Sequence, residues 1–129
     1  MSDSLYKEEL LDHYRHPRNK KTLTNAGFMA GHNNPSCGDR IVIEGIVNDN
    51  TIVDLGFNGV GCVISQAAAS MLTELCIGKT VTEVLKLNKN DVCNLIGIHL
   101  GPTRLKCALL SLEVLQEGLR DYQNKQKTD

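Results

Sequence analysis

The stretch RIVIEGIVNDNTIVDLGFNG, residues 40–59, decides the fold class. Two runs rich in β-branched residues flank Asn48-Asp49-Asn50, a cluster of turn formers, and together they read as a β-hairpin. Ile41, Ile43 and Val47 alternate along the first run, and Val53, Leu55 and Phe57 along the second, so each strand is expected to turn these side chains to one buried face. Gly56, Gly59 and Gly61 then break the pattern just before Cys62.

Outward from the hairpin, helical periodicity dominates. Residues 4–15 carry Tyr6, Leu10, His13 and Tyr14 on one face, with Ser4 as a cap, and Pro17 ends the run. The basic HPRNKK that follows reads as a solvated loop, with a contact surface for an acidic partner as the alternative. Residues 65–77 are rich in helix formers and stop at Gly78. Thr80, and then Asn88 or Asn90, are placed to cap two short helices. A last long helix opens at Pro102 and runs to about Tyr122 on a stripe of Leu105, Ala108, Leu109, Leu112, Leu115, Leu119 and Tyr122. A hairpin followed mostly by helices, without strand–helix alternation, is α+β. The expected architecture is a small antiparallel sheet of two to three strands, covered on one face by helices, with a long C-terminal helix. The sequence leaves open which residues supply a third strand.

The 129 residues are expected to form a single domain, with about 1–3 and 123–129 frayed. A net charge of -1 gives no sign of a nucleic-acid surface. No apolar run is long enough to span a bilayer, and charges in MSDSLYKEELL occupy the place of a signal peptide's apolar region, so a cytoplasmic location is expected.

Five cysteines is an odd number for a disulfide framework, and the absence of any CxxC fits no zinc ribbon. Cys37 stands in Asn34-Pro35-Ser36-Cys37-Gly38-Asp39, a turn with little bulk around the sulfur. It is either a reactive or ligating thiol, or a small residue tucked under a loop. Cys62 follows Gly59-Val60-Gly61 just ahead of a helix, where backbone N–H groups and the helix dipole favour a thiolate; a packed cysteine at a strand end is the alternative. Cys107 falls about 120° from the centre of the last helix's stripe, an offset expected of a reactive or ligand residue, with Arg104 and Lys106 nearby. Cys76 and Cys93 sit within apolar helical patterns and read as core, as do Met71 and Leu72. His99 reads as a solvated loop residue, and His16 and His32 as exposed.

Three motifs together, NPSCGD at 34–39, GVGCVISQAAAS at 59–70 and LGPTRLKC at 100–107, resemble the IscU/NifU-type iron–sulfur cluster scaffold family. LLDHYRHPRN at 10–19 resembles that family's opening helix and loop, so the likeness covers nearly the whole chain. The resemblance implies that Cys37, Asp39, Cys62 and Cys107 converge as ligands at one end of the domain. Soft thiolates suit iron–sulfur clusters or zinc, and one carboxylate among them weakens the hold on a cargo that must be given away. It further implies that the chain accepts sulfur from a cysteine desulfurase, with Cys37 and Cys107 as candidate acceptors. The chain would then bind iron and hold a labile [2Fe–2S] cluster for Fe–S acceptor proteins.

The pattern also departs from the family. Lys106 stands where IscU sequences have a histidine, and Gly101 replaces the first proline of an LPPVK-like segment, so the likeness does not extend to the Hsp70-type chaperone that reads it. Lysine is normally protonated and is a poor ligand. RLKCALLSLEVL is similar instead to the SufU branch, which implies a second function, a zinc-dependent sulfurtransferase accepting persulfide sulfur from a desulfurase. Yet the 62–107 interval is short, as in IscU, without the SufU insertion. A non-catalytic zinc-stabilised interaction domain is the plainest alternative. The sequence does not assign a task to Arg104 or Lys106 beyond steering a partner or aiding the chemistry.

Overall fold

The computed structural model describes residues 3–35 and 38–128. Its elements in order are α1 (Asp3–Arg15), β1 (Phe28–Asn34), β2 (Asp39–Asn48), β3 (Thr51–Val60), α2 (Val63–Cys76), α3 (Val81–Leu85), α4 (Lys89–Ile96) and α5 (Pro102–Thr128). The sheet is antiparallel with order β1-β2-β3, and α2 and α5 pack on its inner face. The expected α+β architecture is what the chain adopts.

The hairpin closes on Asp49 and Asn50, with φ of 53° and 62°. Left-handed geometry at both positions matches the right-handed twist of the flanking strands, and Asp and Asn tolerate it better than other side-chain-bearing residues. Ile41, Ile43, Leu55 and Phe57 turn into the core as expected. Val53 does not: it is 51% exposed, and Ile52 is buried instead. Ile46 pairs with Asp54 and Val47 with Ile52, so Val53 is an extra, unpaired residue, a bulge that reverses the alternation.

The third strand is Phe28–Asn34, paired along β2 from Phe28↔Gly45 to Asn34↔Asp39. Phe28 locks α5 to the sheet, because its ring occupies the space where a Cβ on Gly45 or on Gly118 would stand. The other boundaries shift in particular ways. α2 begins at Val63, two residues ahead of the expected start, with Cys62 as its N-cap. Thr80 and Asn88 each close a capping box. α1 starts at Asp3, so Ser4 lies inside its first turn. α5 continues past Tyr122 to Thr128.

The basic segment after α1 is tied down rather than solvated. Phe57 N–H donates to the Asn19 carbonyl (2.9 Å), Asn58 Nδ2 to the Lys21 carbonyl (3.2 Å) and Asn19 Nδ2 to Thr73 Oγ1 (3.2 Å). Arg18 reaches Asp12 at 2.7 Å, and its backbone N–H donates to Ser70 Oγ at 2.8 Å. Ser70 also meets the buried His13 ring at Nδ1, 2.8 Å, so α1, α2 and this segment share one polar joint.

Two outcomes are expected. Asp49→Val lowers stability in urea unfolding by roughly 1–2 kcal/mol, the cost of a β-branched residue at positive φ, while Asp49→Gly is close to neutral. Burial, aided by the nearby Arg18 charge, holds His13 below the ordinary histidine range of about 6.5. The unfolded chain therefore takes up this proton more readily, and the joint's contribution is complete above pH 6.5 and lost as pH falls through the lower folded value. Thermal unfolding between pH 7.5 and 5.5 is expected to show this loss in the native protein and a flatter profile in His13→Gln.

Candidate metal centre

Asp39 opens β2 and is only 1% exposed. A buried carboxylate needs donors or a counter-charge. The Cys62 backbone N–H donates to its Oδ1 at 2.8 Å, and Cys62 Sγ lies 3.8 Å from its Oδ2. Among the described residues Asp39 forms no ion pair. Gly61 makes this approach feasible, since a Cβ there would fall 2.3 Å from Asp39 Oδ1 and 2.7 Å from Ser65 Oγ.

Cys62 caps α2 in an extended conformation (φ -72°, ψ 169°), and Ser65 N–H donates to its Sγ at 3.4 Å. The cap thus directs a sulfur, in place of the usual oxygen, at the free amide groups of the first turn. Ser65 Oγ closes the turn on the Cys62 carbonyl at 3.1 Å.

Cys107 comes from the second turn of α5 and is 3% exposed. Its offset from the stripe does not place it outside the core. α5 buries two faces, one on α2 and a second, with Cys107, Leu110, Ser111, Val114 and Gly118, on the sheet side. The offset alone therefore does not distinguish a ligand from a packed cysteine.

One ligand atom each from Asp39, Cys62 and Cys107 lies within 4.8 Å of the others, the only such group of three among the described residues. Cys37, two positions before Asp39, lies outside the described residues. Zinc–sulfur bonds of about 2.3 Å in a tetrahedron set neighbouring ligand atoms about 3.8 Å apart. The donor set fits a soft cation after a small contraction, and such a cation would supply the charge that the buried carboxylate lacks.

Next to the two thiols lies a groove of about 460 Å³, walled by Leu10, Leu11, Val63, Ile64 and Ile98, with Lys7 and Arg104 also lining it. The loop side chain Ile98 and the α1 face contribute here without any sequence signal pointing to this end of the molecule. Lys106 is exposed and lines a different depression, with Asn33, Asn34, Pro35 and Glu113. Cys76 is fully buried, and desolvation pushes its thiol up to about 12, which makes it a core residue as expected. Cys93 is half-buried on α4. Met71 and Leu72 are buried, His16 and His99 exposed, and His32, also exposed, pairs with Glu117.

The family described as "NifU-like N terminal domain" matches residues 5–129. The zinc-dependent sulfurtransferase SufU of Bacillus subtilis is 36% identical, over 91% of this chain and 90% of its own length. The iron–sulfur cluster assembly scaffold protein IscU of Aquifex aeolicus is 37% identical, over 94% of this chain and 78% of its own. A solved structure of a putative iron–sulfur cluster assembly scaffold protein for the SUF system, from Fervidobacterium islandicum, superposes with a TM-score of 0.77 at 29% identity, covering 92% and 99% of the two chains. The N-terminal part of a NifU-like protein from Brucella abortus shares the fold, with a TM-score of 0.76 at 17% identity, covering 95% of this chain and 97% of its own.

Gly61→Ala is expected to push the Asp39 carboxylate off the Cys62 N–H. Zinc competition titrations should then show at least a tenfold loss of affinity, with an unchanged far-ultraviolet circular dichroism spectrum.

Proposed function

The chain belongs to the NifU-like N-terminal domain family, and on that premise we propose that it is an iron–sulfur cluster assembly scaffold. It accepts sulfur from a cysteine desulfurase, binds iron and holds a labile [2Fe–2S] cluster that it passes to acceptor proteins. The observation that carries this reading is the meeting of a buried carboxylate and two thiols from three separate elements at one end of the sheet. Cys37, Asp39, Cys62 and Cys107 form the ligand set.

The residues divide the work. Cys107, almost fully buried, is a poor target for another protein's persulfide and serves as an anchoring ligand. Cys37 is the proposed first acceptor. Its thiolate attacks the outer sulfur of the donor's Cys–S–SH, the donor S–S bond breaks, and the donor leaves as a thiolate. The persulfide now on Cys37 has the terminal sulfur, and an external reductant supplies two electrons to release it as sulfide. Asp39 contributes one oxygen among thiolates, a harder and weaker ligand to iron, which favours release of the cargo over storage. Among the described residues no helix is long and apolar enough to cross a membrane.

Lys106 favours a second reading. It stands in an RLKC run, as in SufU-type proteins, and removes the histidine that IscU-type scaffolds offer next to the third cysteine. On this reading Cys37, Asp39, Cys62 and Cys107 would hold zinc, which would keep the thiols as thiolates, and Cys37 would take the persulfide sulfur.

Zinc and iron content per chain, with absorption spectra before and after anaerobic reconstitution, separates the two. The scaffold reading expects a transferable [2Fe–2S] chromophore that is lost in Cys37→Ser, Cys62→Ser and Cys107→Ser and kept in Cys76→Ala. A stable zinc complex that raises desulfurase turnover and never builds a cluster would overturn it in favour of the second reading.

A further inference from the structure

β3 is an edge strand, and its free edge is only partly covered. Lys20 forms a single parallel bridge to Phe57, with the Phe57 N–H directed outward to the Asn19 carbonyl. In an antiparallel ladder such outward positions recur every second residue. Ile43↔Phe57 and Ile41↔Gly59 lie in unbroken register, so the Gly59 N–H and C=O also face away from β2. Among the described residues no loop or cap backbone group takes them up. The covering segment turns away one step too early.

A groove of about 270 Å³ occupies this place, lined by Tyr14, Lys20, Gly59, Val60, Gly61 and Gln66. Gln66 is 6% exposed; its Oε1 accepts from Lys20 Nζ at 3.5 Å, while its Nε2 is buried with no hydrogen-bond partner. A buried amide without an acceptor carries a desolvation cost that a carbonyl arriving in the groove would relieve. Lys20 is exposed, and among the described residues it has no carboxylate partner, unlike Arg18 and Lys21 on either side. The groove leads past Gly61, against which the Asp39 carboxylate rests, to the Cys62 cap.

We propose that the open edge of β3 at Gly59 receives an extended segment of the sulfur-donating protein, which adds there as a short strand and sets an acidic side chain against Lys20. The added strand continues the line begun by Asn19 and Lys20. Its backbone pairs with Gly59, one of its carbonyls accepts from Gln66, and its course brings the donor's sulfur to the end of the sheet where Asp39 and Cys62 meet. Main-chain pairing supplies affinity without demanding a particular sequence, and the Lys20 charge selects an acidic segment. The proposal rests on the reading of the chain as a sulfur acceptor.

The test uses the full chain, metal-loaded as purified, and a cysteine desulfurase from the same organism as the probe. Amide hydrogen exchange at Gly59 is expected to slow at least tenfold at saturating desulfurase. Lys20→Glu is expected to weaken binding at least tenfold and Gln66→Met several-fold, with metal content per chain unchanged in both. If the native chain takes up sulfur while Gly59 exchange stays the same, or Lys20→Glu binds equally well, the strand-addition proposal is overturned and the acceptor reading stands. If Gly59 is protected in the free chain in a concentration-dependent manner and sedimentation shows a dimer, a second copy occupies the edge and the proposal is likewise overturned. A native chain that neither binds the desulfurase nor gains sulfur overturns the acceptor reading and this proposal with it.

Discussion

A single hydrogen bond, from the Cys62 backbone N–H to the Asp39 carboxylate, joins the first residue of β2 to the N-cap of α2. Much of the molecule depends on its being possible. The carboxylate is buried, so the amide must reach it, and the amide reaches it only because Gly61 has no side chain to stand between them. The same contact fixes where α2 begins, and with it the direction in which the Cys62 sulfur leaves the chain. A stability-minded design would fill this corner with an apolar residue, since an unpaired buried charge is costly. The chain keeps the charge, an expense that makes sense where a cation is to be received.

The third member of the cluster is positioned by quite different means. α5 packs on the sheet beside α2 and buries a side on each, so Cys107 is held by packing along the helix rather than by a local turn. Phe28, inserted between Gly45 and Gly118, sets the distance between helix and sheet farther along. Cys107 therefore inherits its place from contacts several turns away, whereas Asp39 and Cys62 depend on one another directly. Substitutions near Phe28 and substitutions near Gly61 would disturb the same cluster through separate routes.

The parts of this architecture that are legible in the sequence are those specified by neighbouring residues. Asn48-Asp49-Asn50 encodes the hairpin turn, and Thr80 and Asn88 encode helix starts, because each acts on amides within three positions of itself. β1 is hidden because FMAGHNN has no apolar alternation; its ladder is imposed by β2. Val53 misleads because a bulge is a property of two strands and not of one. The offset of Cys107 is uninformative because a helix with two buried faces has no single stripe from which to measure it. HPRNKK reads as solvated on charge alone, yet Asn19 and Lys20 lie along β3, a pairing that only the folded sheet reveals. The meeting of Asp39, Cys62 and Cys107 is legible only through family resemblance, since spacing in the chain does not relate positions 39, 62 and 107.

A protein that handles sulfane sulfur must also keep that sulfur off the wrong thiols. Cys76 lies on the same helix that Cys62 caps, and desolvation drives its thiol up to about 12. At neutral pH almost none of it is present as thiolate. Only the thiolate attacks a persulfide, so the core excludes this sulfur from the exchange twice over, by closing off access to it and by denying it an anion. Burial at Cys76 is thus a form of chemical proofreading, in which the interior silences a thiol that the same chain could otherwise ill afford to carry.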